Sequence, residues 1–466
     1  MTGLVLGGGV AGLLAASVVA DRFGAVTLVE RDRFAARRPG VPQARHAHLF
    51  LGSGARAVDE LVPGTVQAVL ARGGRRIGMP EGILTYTPQG WMPRFPQVQF
   101  LLSATRGLVE EVLRERVLAD ERITAVEGGE VVGLDGDRGR VTGARIRDRD
   151  TRRERSIAAE LVLDATGSSS KITRWLGELG LSVPEEVVDG GVGYATREFR
   201  PPATLAREFP AVFVQPDPLG SGRAGVVLPI EGEKWIVSLM GMRGSPPPSS
   251  APDFLDFARA LRHPVIGRLI ATAEPLGPVH GFRAGPNRWR RFDRMPSWPE
   301  GLVVLGDSAC TFNPLYGHGM SVAAFGARVL RDHLRRHGSG PGLARGVQRA
   351  VARAAADAWA LAVGQDIRYE HTIGPRPNLA DRLRSRYAER VGRAAAVDPA
   401  VTAKLLASYT LDAPLSKLLR PRTAFAVLSP SYGRPADSPP LTARELRLLE
   451  ESSTDPGGRR EQAETG

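Results

Sequence analysis

The stretch GLVLGGGVAGLLAASVVADRFGAVTLVE, Gly3 to Glu30, decides the fold. Leu4–Leu6 is a short apolar run and reads as a buried strand. Gly7, Gly9 and Gly12 follow at G-x-G-x-x-G spacing and open an Ala/Leu-rich helical run to about Phe23. Ala25–Val29 is a second apolar run, closed by the acid Glu30. Strand, glycine turn, helix and strand within some thirty residues form a β-α-β unit. Its glycines allow a tight turn and let a pyrophosphate approach the helix N-terminus, where N–H groups and the helix dipole meet its charge. Glu30 is placed to accept from a ribose diol, and its neighbour Arg31 is a further candidate for cofactor binding. The plainer reading is a tight turn with an exposed glutamate. It leaves the strand, the helix and the terminal acid unconnected.

A second glycine-rich turn lies far downstream, in GDSACTFNPLYGHGMSVAA, Gly306 to Ala324. The strand GLVVLGD precedes it, and Met320–Leu334 reads as helix. A simple dehydrogenase has little use for this second turn, whereas a flavoprotein needs it. Asp307 is the candidate acceptor for a ribityl chain. The amides around Gly317–Met320, at a helix N-terminus, suit the negative charge that a flavin pyrimidine edge gains on reduction. The alternative is an ordinary βα turn with an aspartate cap.

Outward from these two turns, Val98–Ser103 reads as a strand leading into a helix Thr105–Leu118 that carries Arg106. Gly128–Val132 and Val141–Arg147 read as a hairpin, and Glu160–Asp164 as a buried strand before Ala165-Thr166-Gly167. Gly190–Phe199, Ala211–Gln215, Gly225–Pro229 and Lys234–Gly241 predict an antiparallel sheet with one covered face. Asp253–Arg262, Leu343 to about Ala362, and Asp381–Leu411 read as helix. The expected fold class is α/β. A discontinuous Rossmann-like domain spans 1–180 with 281–345, and an inserted β-sheet substrate domain spans 181–280. C-terminal helices fill 346–434, and a Pro/Ser/Glu/Gly-rich tail over 435–466 reads as disordered.

Composition narrows the function classes. The chain has 466 residues and 42% hydrophobic content, enough for a large core. Its one cysteine, Cys310, allows no internal disulfide framework and fits a reducing cytoplasm; the residue reads as small packing. The apolar N-terminus lacks a basic leader and is not read as a signal peptide. No apolar run of about 20 residues predicts a membrane span. The net charge is +12. The arginines are scattered, lysine is nearly absent, and no nucleic-acid motif accompanies them, so nucleic acid is not an expected partner. His46, His48 and the other histidines do not cluster at metal-ligand spacing, so no metal is expected.

Taken together, these segments resemble a family. Gly7-x-Gly9-x-x-Gly12 with Glu30, GVPQARHAHLF (Gly40–Phe50), Arg106 in SATRGLVEEVL, LVLDATG (Leu161–Gly167) and GDSACTFNPLYGHGMS are similar to the FAD-dependent monooxygenases of the p-hydroxybenzoate hydroxylase-like superfamily. GWMPRFPQVQF, GYATREFR and WPEGLVVLGD add a likeness to the polyether-ionophore epoxidases of the lasalocid and monensin type. The resemblance covers about Gly3 to Ser429. It implies FAD, reduced by NAD(P)H directly or through a separate flavin reductase, and O2 activated as a flavin C4a-hydroperoxide. It implies a cytoplasmic enzyme of polyketide or antibiotic biosynthesis that epoxidises an apolar polyene or polyketide. Arg45 and Arg106 would sit near the ribityl and pyrophosphate. Asp164 and Gly167 would belong to the fixed turn near the nucleotide. Asp307 would contact the ribityl region, and Pro314, Gly317, Gly319 and Met320 the isoalloxazine. Each arginine has an ordinary alternative as a surface or ion-pair residue.

The substrate wall is expected on the middle sheet, from Tyr194, Arg197, Phe213, Val227 and Leu239 with Met240, joined by Trp91 and Phe95; strand parity turns half of the sheet residues away. No catalytic base is nominated. His318 either donates to the flavin edge or only packs. A flavin halogenase is disfavoured, because Lys171 is the first lysine and no Trp-x-Trp-x-Ile-Pro segment occurs. An isoprenoid double-bond reductase and a non-enzymatic flavin-binding protein rest on fold analogy alone. The stronger alternative is a redox-neutral, cycloaddition-type cyclase that retains FAD as a structural element and folds a polyene for ring closure.

Overall fold

In the computed structural model, residues 2–34, 45–428 and 433–454 are described. Residues Gly40–Ala44 of the GVPQARHAHLF segment lie outside them. The opening stretch forms a strand β1 (Thr2–Leu6), a helix α1 (Val10–Phe23) and a strand β2 (Ala25–Glu30). Both strands belong to a five-stranded parallel sheet in the order 302–304, 161–164, β1, β2, 123–127. Leu4, Val5, Leu6, Leu28 and Val29 are buried in it, as are Leu161–Leu163 and Leu302–Val304. These continuous apolar runs suit a sheet covered on both faces. Helix α1 and the helix Gly319–His337 pack together on one side of it. The two glycine-rich turns therefore leave the same sheet edge.

The predicted hairpin is present as Gly129–Gly136 and Val141–Asp148, with Glu154–Ala158 added as a third strand. The middle sheet has seven strands in the order 274–283, 193–200, 234–241, 223–230, 211–214, 83–87, 90–91. Two features differ from expectation. The strands Ile83–Thr87 and Gly90–Trp91 come from outside 181–280, so the sheet is not confined to one inserted segment. The pair Ala211–Val214 with Ile83–Thr87 is parallel; the other pairs are antiparallel.

The long helical stretch 381–411 is two helices, Leu379–Ala395 and Pro399–Tyr409. The break falls where Asp398 accepts from the N–H groups of Ala400 and Val401 and Pro399 takes the first helical position. The tail expected past Pro435 is also corrected in part: Ala443–Thr454 is helix. Thr442 and Glu445 cap it reciprocally, Glu445 Oε2 accepting from Thr442 N at 2.8 Å and Thr442 Oγ1 from Glu445 N at 3.2 Å. Arg94 donates to both Glu445 oxygens at 2.6 and 2.9 Å, and Leu449 is buried against the outer face of the seven-stranded sheet. Polar composition hid a docked helix. Among the described residues, no helix is long and apolar enough to cross a membrane.

Candidate functional site

The first turn is dictated by its glycines. Gly7 has φ +102°, and a Cβ there would come 2.4 Å from the Ala165 carbonyl oxygen. A Cβ on Gly12 would come 1.7 Å from Gly7 O, so this glycine lets α1 pack against the turn. A Cβ on Gly9 would meet nothing within 4 Å: its open side is the cleft. Gly9 caps α1 without a side-chain bond, which leaves first-turn N–H groups directed at that space. Glu30 is 5% exposed. It accepts from Gly8 N through Oε2 at 2.7 Å and from Asp32 N through Oε1 at 2.9 Å. The acid is thus locked to the glycine turn at the strand end.

The second turn is bound to a third. Asp164 is fully buried. Its Oδ1 accepts from Thr166 N at 2.9 Å and Thr166 Oγ1 at 2.6 Å, and its Oδ2 from Ser170 Oγ at 2.5 Å. Ser308 Oγ joins the two turns, donating toward Asp164 Oδ1 at 3.3 Å and accepting from Gly167 N at 2.9 Å. Beyond Asp307, Asn313 caps the short turn Pro314–Tyr316, and Gly317 takes φ +69° under Leu49. The helix from Gly319 begins with no side-chain cap.

These turns enclose one cleft of about 260 Å³. Of the predicted residues, Gly7, Gly9, Glu30, Arg31, Arg106, Gly167, Asp307, Pro314, Gly317, Gly319 and Met320 line it. Gly12 and Asp164 lie behind it and build its walls. Burial raises the Asp307 carboxyl above its ordinary pKa, against the pull of the Arg106 guanidinium. Arg106 stands at the start of its helix, with Nε donating to Glu110 Oε1 at 2.8 Å. Arg45 is not among the lining residues; it is exposed, and its Nη1 donates to His280 Nδ1 at 3.2 Å, on an edge strand of the seven-stranded sheet. His48, a few residues later, does line the cleft.

The substrate-wall candidates divide by strand parity. Tyr194 and Phe213 pack on the face toward the cleft, with Met240, Leu49, Leu315 and Tyr316. Val227, Leu239 and Trp91 pack on the opposite face, against Phe254 and Ile266. Arg197 alternates away from Tyr194 and donates from Nε to Gly277 O at 2.8 Å. Phe95 is half-buried in neither cluster. His318 is 1% exposed and outside the cleft lining. Its Nε2 donates to Tyr409 O at 3.0 Å, and burial lowers its pKa to about 4. Its Nδ1 is buried without a hydrogen-bond partner among the described residues.

Sequence reasoning gave no role to Asn313 or Asp366. Asn313 lies inside the quoted FNPLYGHG segment and lines the cleft. Asp366 ends a helix with no motif around it. Ser168 to Lys171 also line the cleft, and Lys171 Nζ lies 3.4 Å from Glu130.

No family model matches the chain. Protein Rv3254 of Mycobacterium tuberculosis is 30% identical over 434 residues, covering 88% of this chain and 89% of that protein. A triple mutant of the flavin-dependent brominase Bmp2 superposes with a TM-score of 0.64 at 14% identity, over 90% of this chain and 96% of its own. The Diels-Alderase PyrE3 of pyrroindomycin biosynthesis superposes with a TM-score of 0.59 at 18% identity, over 88% and 80%. Likenesses this distant in sequence carry the fold. The chain has the α/β fold of the FAD-dependent monooxygenases, and it belongs to the family of protein Rv3254.

Proposed function

We propose that the protein is an FAD-dependent monooxygenase that epoxidises an alkene of an apolar polyene or polyketide, in the manner of the polyether epoxidases. One observation carries the reading: two uncapped helix N-termini, at Gly9 and Gly319, open into the same cleft, and beyond one of them lies an apolar sheet face. The donor set fits FAD. Gly9 leaves open the room a pyrophosphate needs, and α1 directs N–H groups into it. Glu30 stands at the strand end beside the glycine turn, where a ribose hydroxyl would donate to it. Arg31 and Arg106 bring positive charge to the phosphates, and Asp307 accepts from a ribityl hydroxyl.

Bound FAD, once reduced by NAD(P)H directly or through a flavin reductase, supplies two electrons to O2 and an electrophilic oxygen atom. The chain's own part is to hold and shield. The N–H groups at Gly319 and Met320 stabilise negative charge at the ring edge. Tyr194, Phe213 and Met240 present the surface against which an alkene is oriented and water excluded. An alkene attacks with its own π electrons, so epoxidation asks for no base. Neutral, buried His318 accords with that.

A second reading has its own support. PyrE3 is a Diels-Alderase on the same fold, and a redox-neutral cyclase of polyketide biosynthesis would use the same apolar wall to hold two ends of a polyene together. Incubation with reductant, a polyene and ¹⁸O2 separates them. The monooxygenase reading expects product heavier by one ¹⁸O atom. An unlabelled, cyclised isomer formed equally well without reductant supports the cyclase instead.

A further inference from the structure

Asp366 ends the helix Leu343–Asp366 and is 0% exposed. Among the described residues no cation pairs with it, and the helix C-terminus disfavours its charge. Neutral donors fill both of its oxygens. Tyr316 Oη donates to Oδ1 at 2.6 Å, and Asn287 Nδ2 to Oδ2 at 2.7 Å. Asn313 Nδ2 bridges the two oxygens at 3.2 and 3.1 Å.

The amide orientations are not arbitrary. A backbone N–H can only donate. Leu315 N donates to Asn313 Oδ1 at 3.1 Å, and Asn313 N to Asn287 Oδ1 at 2.7 Å. Each amide oxygen is therefore fixed on the turn, and each NH2 is forced toward Asp366. Tyr194 Oη also donates to Asn313 Oδ1, at 3.1 Å. Burial raises the phenol pKa of Tyr194 and Tyr316 well above the ordinary value, which keeps both as donors. Every group around Asp366 thus calls for an acceptor, and a carboxylate supplies one for all of them; burial pushes the Asp366 carboxyl above its ordinary pKa, and the bonds from Tyr316, Asn287 and Asn313 pull against that rise.

We propose that Asp366 is the positioning residue of the ring end of the cleft: its carboxylate fixes Asn313 and Tyr316, and with them the turn 313–317 that the flavin ring would face. Through Asn313 it also ties that turn to Tyr194 on the substrate face. The hydrogen-bond network stands by itself; its role in holding the ring rests on the flavin reading above.

The test uses the full chain with Asp366→Asn, and with the reversed pair Asn313→Asp plus Asp366→Asn. The single variant sets an amide NH2 against other NH2 groups. The reversed pair restores the match. Its carboxylate, moved to position 313, accepts from Leu315 N and Tyr194. Its amide, moved to position 366, accepts from Asn287 on one side and donates on the other to that carboxylate and to Tyr316 Oη, a hydroxyl that can also accept. Hydrogen exchange of cofactor-free protein is read at the backbone amides of positions 313 and 315. The expected result is faster exchange in the single variant by about tenfold or more, the measure of one buried hydrogen bond lost. The reversed pair returns to the wild-type rate, with the parallel sheet unchanged in all three. FAD affinity then follows the same order. Wild-type exchange in Asp366→Asn, or no recovery in the reversed pair, overturns the proposal. Exchange that responds as expected in a chain whose wild type takes up no FAD upholds the positioning network and overturns the flavin reading alone.

Discussion

Glu30 serves the turn and the proposed cofactor with one carboxylate. It holds the glycine turn through Gly8 N and Asp32 N, and in the proposed complex it also takes a ribose hydroxyl. Glu30→Ala loses both, and FAD binding is expected to weaken by about 2–4 kcal/mol. Quenching of flavin fluorescence in a titration checks this; an unchanged affinity would point to another ribose partner. This residue was legible in the sequence because the motif dictates an acid at the end of the second strand. Asp307 was legible for the same kind of reason, as the residue that leaves a strand into a glycine-rich turn. Asp366 was not. Its role comes from Tyr316, Asn313 and Asn287 converging on it in space, and a lone aspartate at the end of an Ala-rich helix carries no local sign of that. Arg45 is the opposite case. Its neighbours His46 and His48 point inward, yet its own guanidinium turns to His280 at the sheet edge.

At the scale of the element, Gly9 and Gly12 look alike in the motif but do different work. A methyl at Gly12 runs into Gly7 O, main chain against main chain, so α1 would have to lift from the turn. Gly12→Ala is expected to destabilise the fold by roughly 3 kcal/mol or more. Gly9 has φ −81° and open space around it, so Gly9→Ala is expected to cost the fold less than about 1 kcal/mol while it obstructs the phosphate path. Urea unfolding and FAD titration of the two variants should separate the roles; equal losses of stability would contradict this account of the turn. The β-α-β unit was readable because three signals agreed. The faces of the seven-stranded sheet were not. Val226, Val227 and Leu228 are all buried, since that sheet is covered on both sides, and a run without alternation hides which residue faces the cleft. For that reason Val227 and Leu239 look like wall residues in the sequence and face away from the cleft in the fold.

At the scale of the whole molecule, the buried imidazoles of His46 and His318 fold uncharged. His46, against Tyr194 and Phe282, and His318, under Tyr409, both have pKa values lowered by burial from 6.5 to about 4. Below about pH 6.5 the unfolded chain takes up protons that the folded chain refuses. Stability is therefore full above that pH and is lost as pH falls toward about 4, by up to a few kcal/mol. Urea midpoints across that window should fall with pH, and His318→Gln should flatten the fall; a flat wild-type profile would contradict the burial of both rings. At this scale the parallel sheet with its two turns was legible, while the strands contributed by 83–91 and the docked helix 443–454 were not, because both depend on contacts distant in sequence. In the proposed complex, two helix N-termini far apart in the chain hold one dinucleotide, its adenosine half by Glu30 and its ring half by the turn at Gly317–Met320. Titrating the cofactor-free chain with FAD and, separately, with FMN tests this most directly. The account predicts one FAD per chain and FMN binding weaker by orders of magnitude, since FMN lacks the half that α1 and Glu30 would grip. No uptake of FAD, or equal affinity for both flavins, would contradict it.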